Sequence, residues 1–385
     1  MKPSMIAGQI AGMLVCVGVG LAGGMWFMKN YDIVPRGETP SPPPMSPNEA
    51  AEADLIFKKP EPPSMAPAAH NPSGPFSYKF KPGETLRYAI NAELDGTGLQ
   101  LGDSSPVDAN FAAVMNVSTQ SVDSSGNGSV DISFESAQLQ GMFMGGPVDF
   151  RQSGSNASFS LDGTTQLDTS RGDSLKGVPQ LEFLSQTIHT IVAPDGRVMD
   201  VRGPQGFDQL LSSSAFVSPV RFKDDEIPVQ TEWTSDFSLP VPGIEALVPA
   251  QAHNVLVGYQ DLYGRRCGVI QQTISAADKD GKISMPSSQL GEAMGLSMPE
   301  FNLTGQNMVY FDVETGHVVR ADMDMGFKME LGQNFSPVAS LVEAFSGLLN
   351  EVEGGDPAQL NPDENAPQEL VTIDLGIKAS MGLID

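Results

Sequence analysis

The chain has 385 residues, 18% of them charged against a usual ~25%, and a formal net charge of −25. The acid excess leaves no basic footprint for electrostatic nucleic-acid binding. Two Cys cannot staple a disulfide scaffold, and 40 Gly without a three-residue period do not make a collagen.

Met5 to Met28 carries no charge over 24 residues, enough for one bilayer crossing at 1.5 Å per residue. Lys2 and Lys29 flank it, Trp26 marks an interfacial border, and all 47 acidic residues follow Asn30. Residues 1–30 therefore read as a single-pass inner-membrane anchor with the C-terminal body in the periplasm or outside the cell. The alternative is a signal peptide cleaved near Ala22-Gly23-Gly24, giving a secreted protein. Gly8, Gly12, Gly20 and Gly24, with Cys16 between them, recur every four residues, a small-residue stripe suited to self-association in the membrane.

Residues 31–75 form a Pro-rich linker, with 12 prolines between Pro35 and Pro75. Such a segment lacks backbone donors and apolar bulk, so it should be an extended disordered spacer.

Residues 76–385 change to period-2 runs separated by turn chemistry. Glu84 to Leu94 opens the series. Asn110–Ser121 and Gly128–Leu139 flank an Asp123…Gly126 turn, and Gln186–Val192 and Arg197–Val201 flank Ala193-Pro194-Asp195-Gly196. His253–Asp261 and Arg265–Ser275 flank Tyr263-Gly264, Gln306–Val313 and His317–Leu331 flank Thr315-Gly316, and Glu369–Ile384 closes the chain. In the penultimate run Val319, Ala321, Met323, Met325, Phe327 and Met329 alternate with polar residues, which predicts one buried and one wet face. A helix is predicted over 336–352, N-capped by Ser336 and stopped at Gly354, with weaker ones at 205–216 and 286–294. The fold class expected is mainly β: a long curved antiparallel sheet or a pair of half-barrels with a few covering helices. Two halves, 76–203 and 223–385, are discernible in one sheet system.

The motifs Lys81-Pro82-Gly83-Glu84, Met115-Asn116-Val117, Ala193-Pro194-Asp195-Gly196-Arg197-Val198, Thr231-Glu232-Trp233 and Phe311-Asp312-Val313-Glu314-Thr315-Gly316 fall in one order. On these the chain resembles uncharacterised exported bacterial β-rich proteins over roughly Phe76 to Leu331. The resemblance implies export and a β-rich fold and no catalytic residues. At fold level only, the Met-rich face is similar to half-barrel lipid and lipoprotein carriers of the bacterial envelope.

The chemical motifs in the chain are few and lack the context their chemistry needs. Gly172-Asp173-Ser174-Leu175 spells an esterase nucleophile block, but none of His70, His189, His253 or His317 has the Asp three residues before it that this class needs. Two calcium-loop imitations, around Asp278-Lys279-Asp280-Gly281 and around Asp123, Asn127 and Asp131, lack the ligand at position 12 and read as hairpin turns. Scattered His and no CxxC leave no zinc site, and no phosphate-binding Gly loop occurs. Cys267 stands in a strand beside Arg265 and Arg266 and reads as a buried, inert thiol. No cofactor and no metal are expected.

The expectation is a non-enzymatic, membrane-tethered envelope protein. Its β-rich domain would bind an apolar ligand such as a lipid, or an envelope protein partner, through a face carrying Met323, Met325, Phe327, Met329 and Phe345. A structural scaffold of the envelope is the alternative, and a hydrolase resting on the Gly172 block the more remote one.

Overall fold

A computed structural model describes residues 76–100, 103–143, 146–172, 186–203, 220–222, 227–240, 247–276, 300–331 and 371–384. The three predicted helices, the membrane segment with its glycine stripe and the Pro-rich linker lie outside these residues. No helix among the described residues is long and apolar enough to cross a membrane.

The described chain is strand almost throughout. In order these are β1 (Thr85–Gln100), β2 (Asp103–Val122), β3 (Gly128–Phe143), β4 (Gly146–Ser153), β5 (Asn156–Leu161), β6 (Thr164–Asp168) and β7 (Ile188–Val192). They continue with β8 (Val198–Arg202), β9 (Glu232–Pro240), β10 (Leu247–Leu262), β11 (Arg265–Ala276), β12 (Glu300–Asp312), β13 (His317–Leu331) and β14 (Val371–Leu383). All 14 belong to a single sheet ordered β6-β5-β4-β3-β2-β1-β14-β13-β12-β11-β10-β9, with β7 and β8 branching from β3. Of the two arrangements expected, a long antiparallel sheet or a pair of half-barrels, the described strands form the first, as one open sheet. Every pairing among the described strands is antiparallel, as expected where short turns join neighbours such as β4–β5, β5–β6, β10–β11 and β12–β13.

The turns obey the local chemistry. Asp123 Oδ1 accepts from the backbone N–H of Ser125 and Asn127 at 2.8 and 2.9 Å, and Gly126 (φ +81°) closes the hairpin. The same carboxylate is held by the Asn127 side-chain amide at 2.8 Å, so the turn consumes the group that the calcium-loop pattern had made conspicuous.

Bulges reset which residues face the core. In β3 the skip at Glu135 moves the buried parity from Ile132 and Phe134 to Ala137 and Leu139. In β10 it falls at Val257. In β13 the break places Val318 in the main core and Val319 in a separate cluster with Cys267, Val269 and Tyr310. Strict alternation had placed Val319 on the Met323 face, and a one-residue bulge overrides it.

A strap over residues 76–83 crosses the end of the sheet where the β2–β3, β7–β8, β10–β11 and β12–β13 turns gather. Phe76 stacks on Phe311 at 5.9 Å and tilts against Phe222 at 5.6 Å, and Tyr78 meets Phe311 edge-on at 4.9 Å. Tyr78 N–H donates to Pro194 O at 2.9 Å, and Lys79 Nζ donates to the carbonyls of Val313 and Glu314 at 3.1 and 2.8 Å. Glycines make room for it: a Cβ on Gly268 would lie 2.7 Å from the Phe76 ring, and one on Gly316 would lie 2.5 Å from Lys79 N. Removing the Phe76 ring should therefore cost about 3–5 kcal/mol in chemical denaturation. Gly268→Ala should cost about 1–3 kcal/mol alone and markedly less in the Phe76→Ala background. Additive losses in that cycle would show that ring and glycine do not meet.

Candidate functional site

Side chains of the core face are brought into rows by the register. One row runs Trp233, Asn254, Gln272, Asn307, Met323 and Ala379 from β9 to β14, and continues through Ala92 and Phe111 to Leu139 and Phe150. Most of it is apolar. Its other members are a line of three amides that water does not reach: Asn254 and Gln272 are 0% exposed and Asn307 3%.

The amides form a directed chain. Asn254 Nδ2 donates to the Trp233 carbonyl at 3.1 Å and to Ser235 Oγ at 3.1 Å. Gln272 Nε2 donates to Asn254 Oδ1 at 2.5 Å, and Asn307 Nδ2 donates to Gln272 Oε1 at 3.1 Å. A backbone carbonyl can only accept, so Trp233 O fixes the polarity of every amide in the line. The chain therefore ends on an acceptor, Asn307 Oδ1, which is buried with no hydrogen-bond partner among the described residues. Leaving such a group unpaired costs about 1–3 kcal/mol. It sits in register with Met323, where the apolar stretch begins.

Of the residues singled out from sequence, Met323 and Met325 are buried in the main core cluster, opposite Asn307 and Gly305 on β12 and Ala379 and Ile377 on β14. Phe327 and Met329 continue β13, in backbone register with Leu303 and Phe301 and with Leu375 and Ile373. Phe345, Gly8, Gly12, Gly20 and Gly24 lie outside the described residues. Sequence reasoning missed Asn254, Gln272 and Asn307, because each amide by itself is an ordinary polar residue in a strand.

A second polar cluster sits under the strap. Asp312 is 3% exposed and accepts from Glu314 N at 2.9 Å, Thr315 Oγ1 at 2.6 Å and Arg265 Nη1 at 3.3 Å. It builds the β12–β13 turn. His317 Nε2 lies 3.3 Å from Glu84 Oε2, outside hydrogen-bond geometry. Burial lowers the His317 pKa, with Glu84 opposing. Burial, with Asp312 beside it, pushes the Cys267 thiol up to about 12 despite Arg265 and Arg266, so the sulfur is a neutral core atom. No group of three His, Cys, Asp or Glu among the described residues could hold a metal. Gly172 caps a short 3-10 turn, and Ser174 of the esterase-like block lies outside the described residues.

No family model matches the chain, and no curated protein matches it. Among solved structures, a proposed outer membrane lipoprotein-sorting protein domain from Vibrio parahaemolyticus is 8% identical, with 78% of this chain and 84% of that one covered and a TM-score of 0.11. A superposition of that quality assigns neither fold nor function.

Native protein at pH 8 should leave Cys267 unalkylated by iodoacetamide in peptide mapping, with full labelling in denaturant; native labelling would contradict a buried thiol. His317 gives a pH prediction. Its folded pKa lies below the ordinary ~6.5 of the unfolded chain, so below that pH the unfolded state binds the extra proton. Stability is therefore lost as pH falls through about 6.5, and His317→Gln should flatten that part of the pH–stability curve.

Proposed function

We propose that the chain is a non-enzymatic, membrane-tethered envelope protein whose β domain binds an apolar ligand on its core face. Ligand sites of this kind are mostly apolar with a few convergent polar groups that fix orientation. The observation that carries this reading is the amide line ending on the unpaired Asn307 Oδ1 beside Met323 and Met325. An acceptor-only end selects a ligand whose polar end donates, such as a long-chain alcohol or a protonated fatty acid. The anchor, the spacer and the exported location rest on the uncharged Met5–Met28 segment and the proline run that follows it.

The test is displacement of a fluorescent fatty-acid probe from the delipidated chain. Hexadecanol should compete about five- to tenfold better than its methyl ether, the value of one hydrogen bond. Asn307→Leu should erase that preference while keeping probe uptake, and Met323→Glu should abolish uptake. Absence of saturable uptake by the wild-type chain would overturn the proposal and leave the face as a closed core.

A further inference from the structure

The opposite face of the sheet carries a feature that neither the core nor the strap explains. Above β11, β12, β13, β14, β1 and β2 lies a groove of about 460 Å³, within the ~300–1,000 Å³ range of ligand sites. It runs across the strands. One wall is the cross-strand row Met308, Asp322, Ser380 and Asn91. The other is Gln306, Asp324, Lys378, Glu93 and Asn110. Between the walls runs the row from Asn307 to Phe111, whose side chains belong to the core face, so backbone forms the floor.

Three carboxylates, Glu93, Asp322 and Asp324, share the groove with two cations, Arg320 and Lys378. Arg320 at one end grips Asp322 through Nε at 2.8 Å and Nη2 at 2.8 Å, which fixes that wall. Lys378 stands in register between Glu93 and Asp324. A polyanion would meet three carboxylates, and a polycation would meet Lys378 and Arg320. The ladder consumes the backbone donors and acceptors of these central strands, so an added peptide strand has nothing to pair with. Phe111 is the one aromatic residue along it and its ring belongs to the core face, so no aromatic anchor of the kind that dominates protein interfaces is presented to the groove. What remains is a trough of alternating side-chain donors and acceptors, open to solvent and long in the cross-strand direction.

We propose that this groove is a binding site for a linear, neutral, hydroxyl-rich oligosaccharide. Asn91, Asn110 and Gln306 present both amide donors and acceptors, Ser380 a hydroxyl, and the carboxylates accept from paired hydroxyls. Met308, half-buried, supplies an apolar contact along the wall. The site lies on the other side of the sheet from the amide line, and its failure or success leaves the apolar-ligand reading untouched.

The full chain, held in lipid nanodiscs so that no sugar-headed detergent competes, is titrated calorimetrically with hexameric N-acetylglucosamine and with cellohexaose. Saturable binding of at least one is expected. Asp324→Ala and Lys378→Ala should each weaken it about fivefold or more, and Ser380→Trp, which fills the groove, should abolish it. All three variants should retain the wild-type melting temperature and fatty-acid-probe uptake. Binding of neither hexasaccharide, or binding that survives Ser380→Trp in a folded protein, would overturn the proposal. So would displacement of the bound sugar by a neutral peptide pool at equal concentration, which would make the groove a peptide site.

Discussion

Everything in the sheet hangs on the ladder between its first and last strands. β1 and β14 pair from Tyr88↔Leu383 to Thr97↔Asp374, and this joins the wing β2–β6 to the wing β13–β9. Gly96 is required there: at φ +142° a Cβ would fall 2.0 Å from Asp374 O. Each wing is built of hairpins whose partners are close in sequence, but the seam between them spans almost the whole body. Loop-closure entropy makes such a seam the slow and late event of folding, and its loss would divide one core into two small ones.

Given that seam, the two faces acquire different characters from the same alternation. Bulges at Glu135, Val257 and Val319 keep the large side chains on one side although the strands are too long and twisted for unbroken period-2 order. The other side gathers a small secondary cluster around Cys267 and Tyr310 and, beyond it, the polar groove. The buried amides do not weaken the core face as a stray polar residue would, since all but one of the groups along their line are paired.

Much of this architecture is legible in the sequence because turn chemistry is local. Asp123…Gly126, Pro194-Asp195-Gly196, Tyr263-Gly264 and Thr315-Gly316 each mark a hairpin where one stands. The β4–β6 meander is poorly legible although Asp162-Gly163 is a strong hairpin signal, because its strands are short and rich in Ser and Gln. The bulges are illegible: one inserted residue leaves no compositional trace, so Val319 looked like a neighbour of Met323. The amide line is illegible for a different reason. Asn254, Gln272 and Asn307 lie 18 and 35 residues apart and become neighbours only through the register of three strands. Met323 and Met325, by contrast, could be placed from alternation within one strand.

The strap has a mechanical consequence. A pull applied to the chain at Phe76 arrives where that ring is wedged between Phe222 and Phe311 over Gly268. Force is then resisted by interlocked rings and by Lys79 clamped to two carbonyls, instead of by an edge strand whose hydrogen bonds could be opened one at a time like a zipper. Force entering at the strap is therefore spread over several turns before it reaches any strand of the sheet.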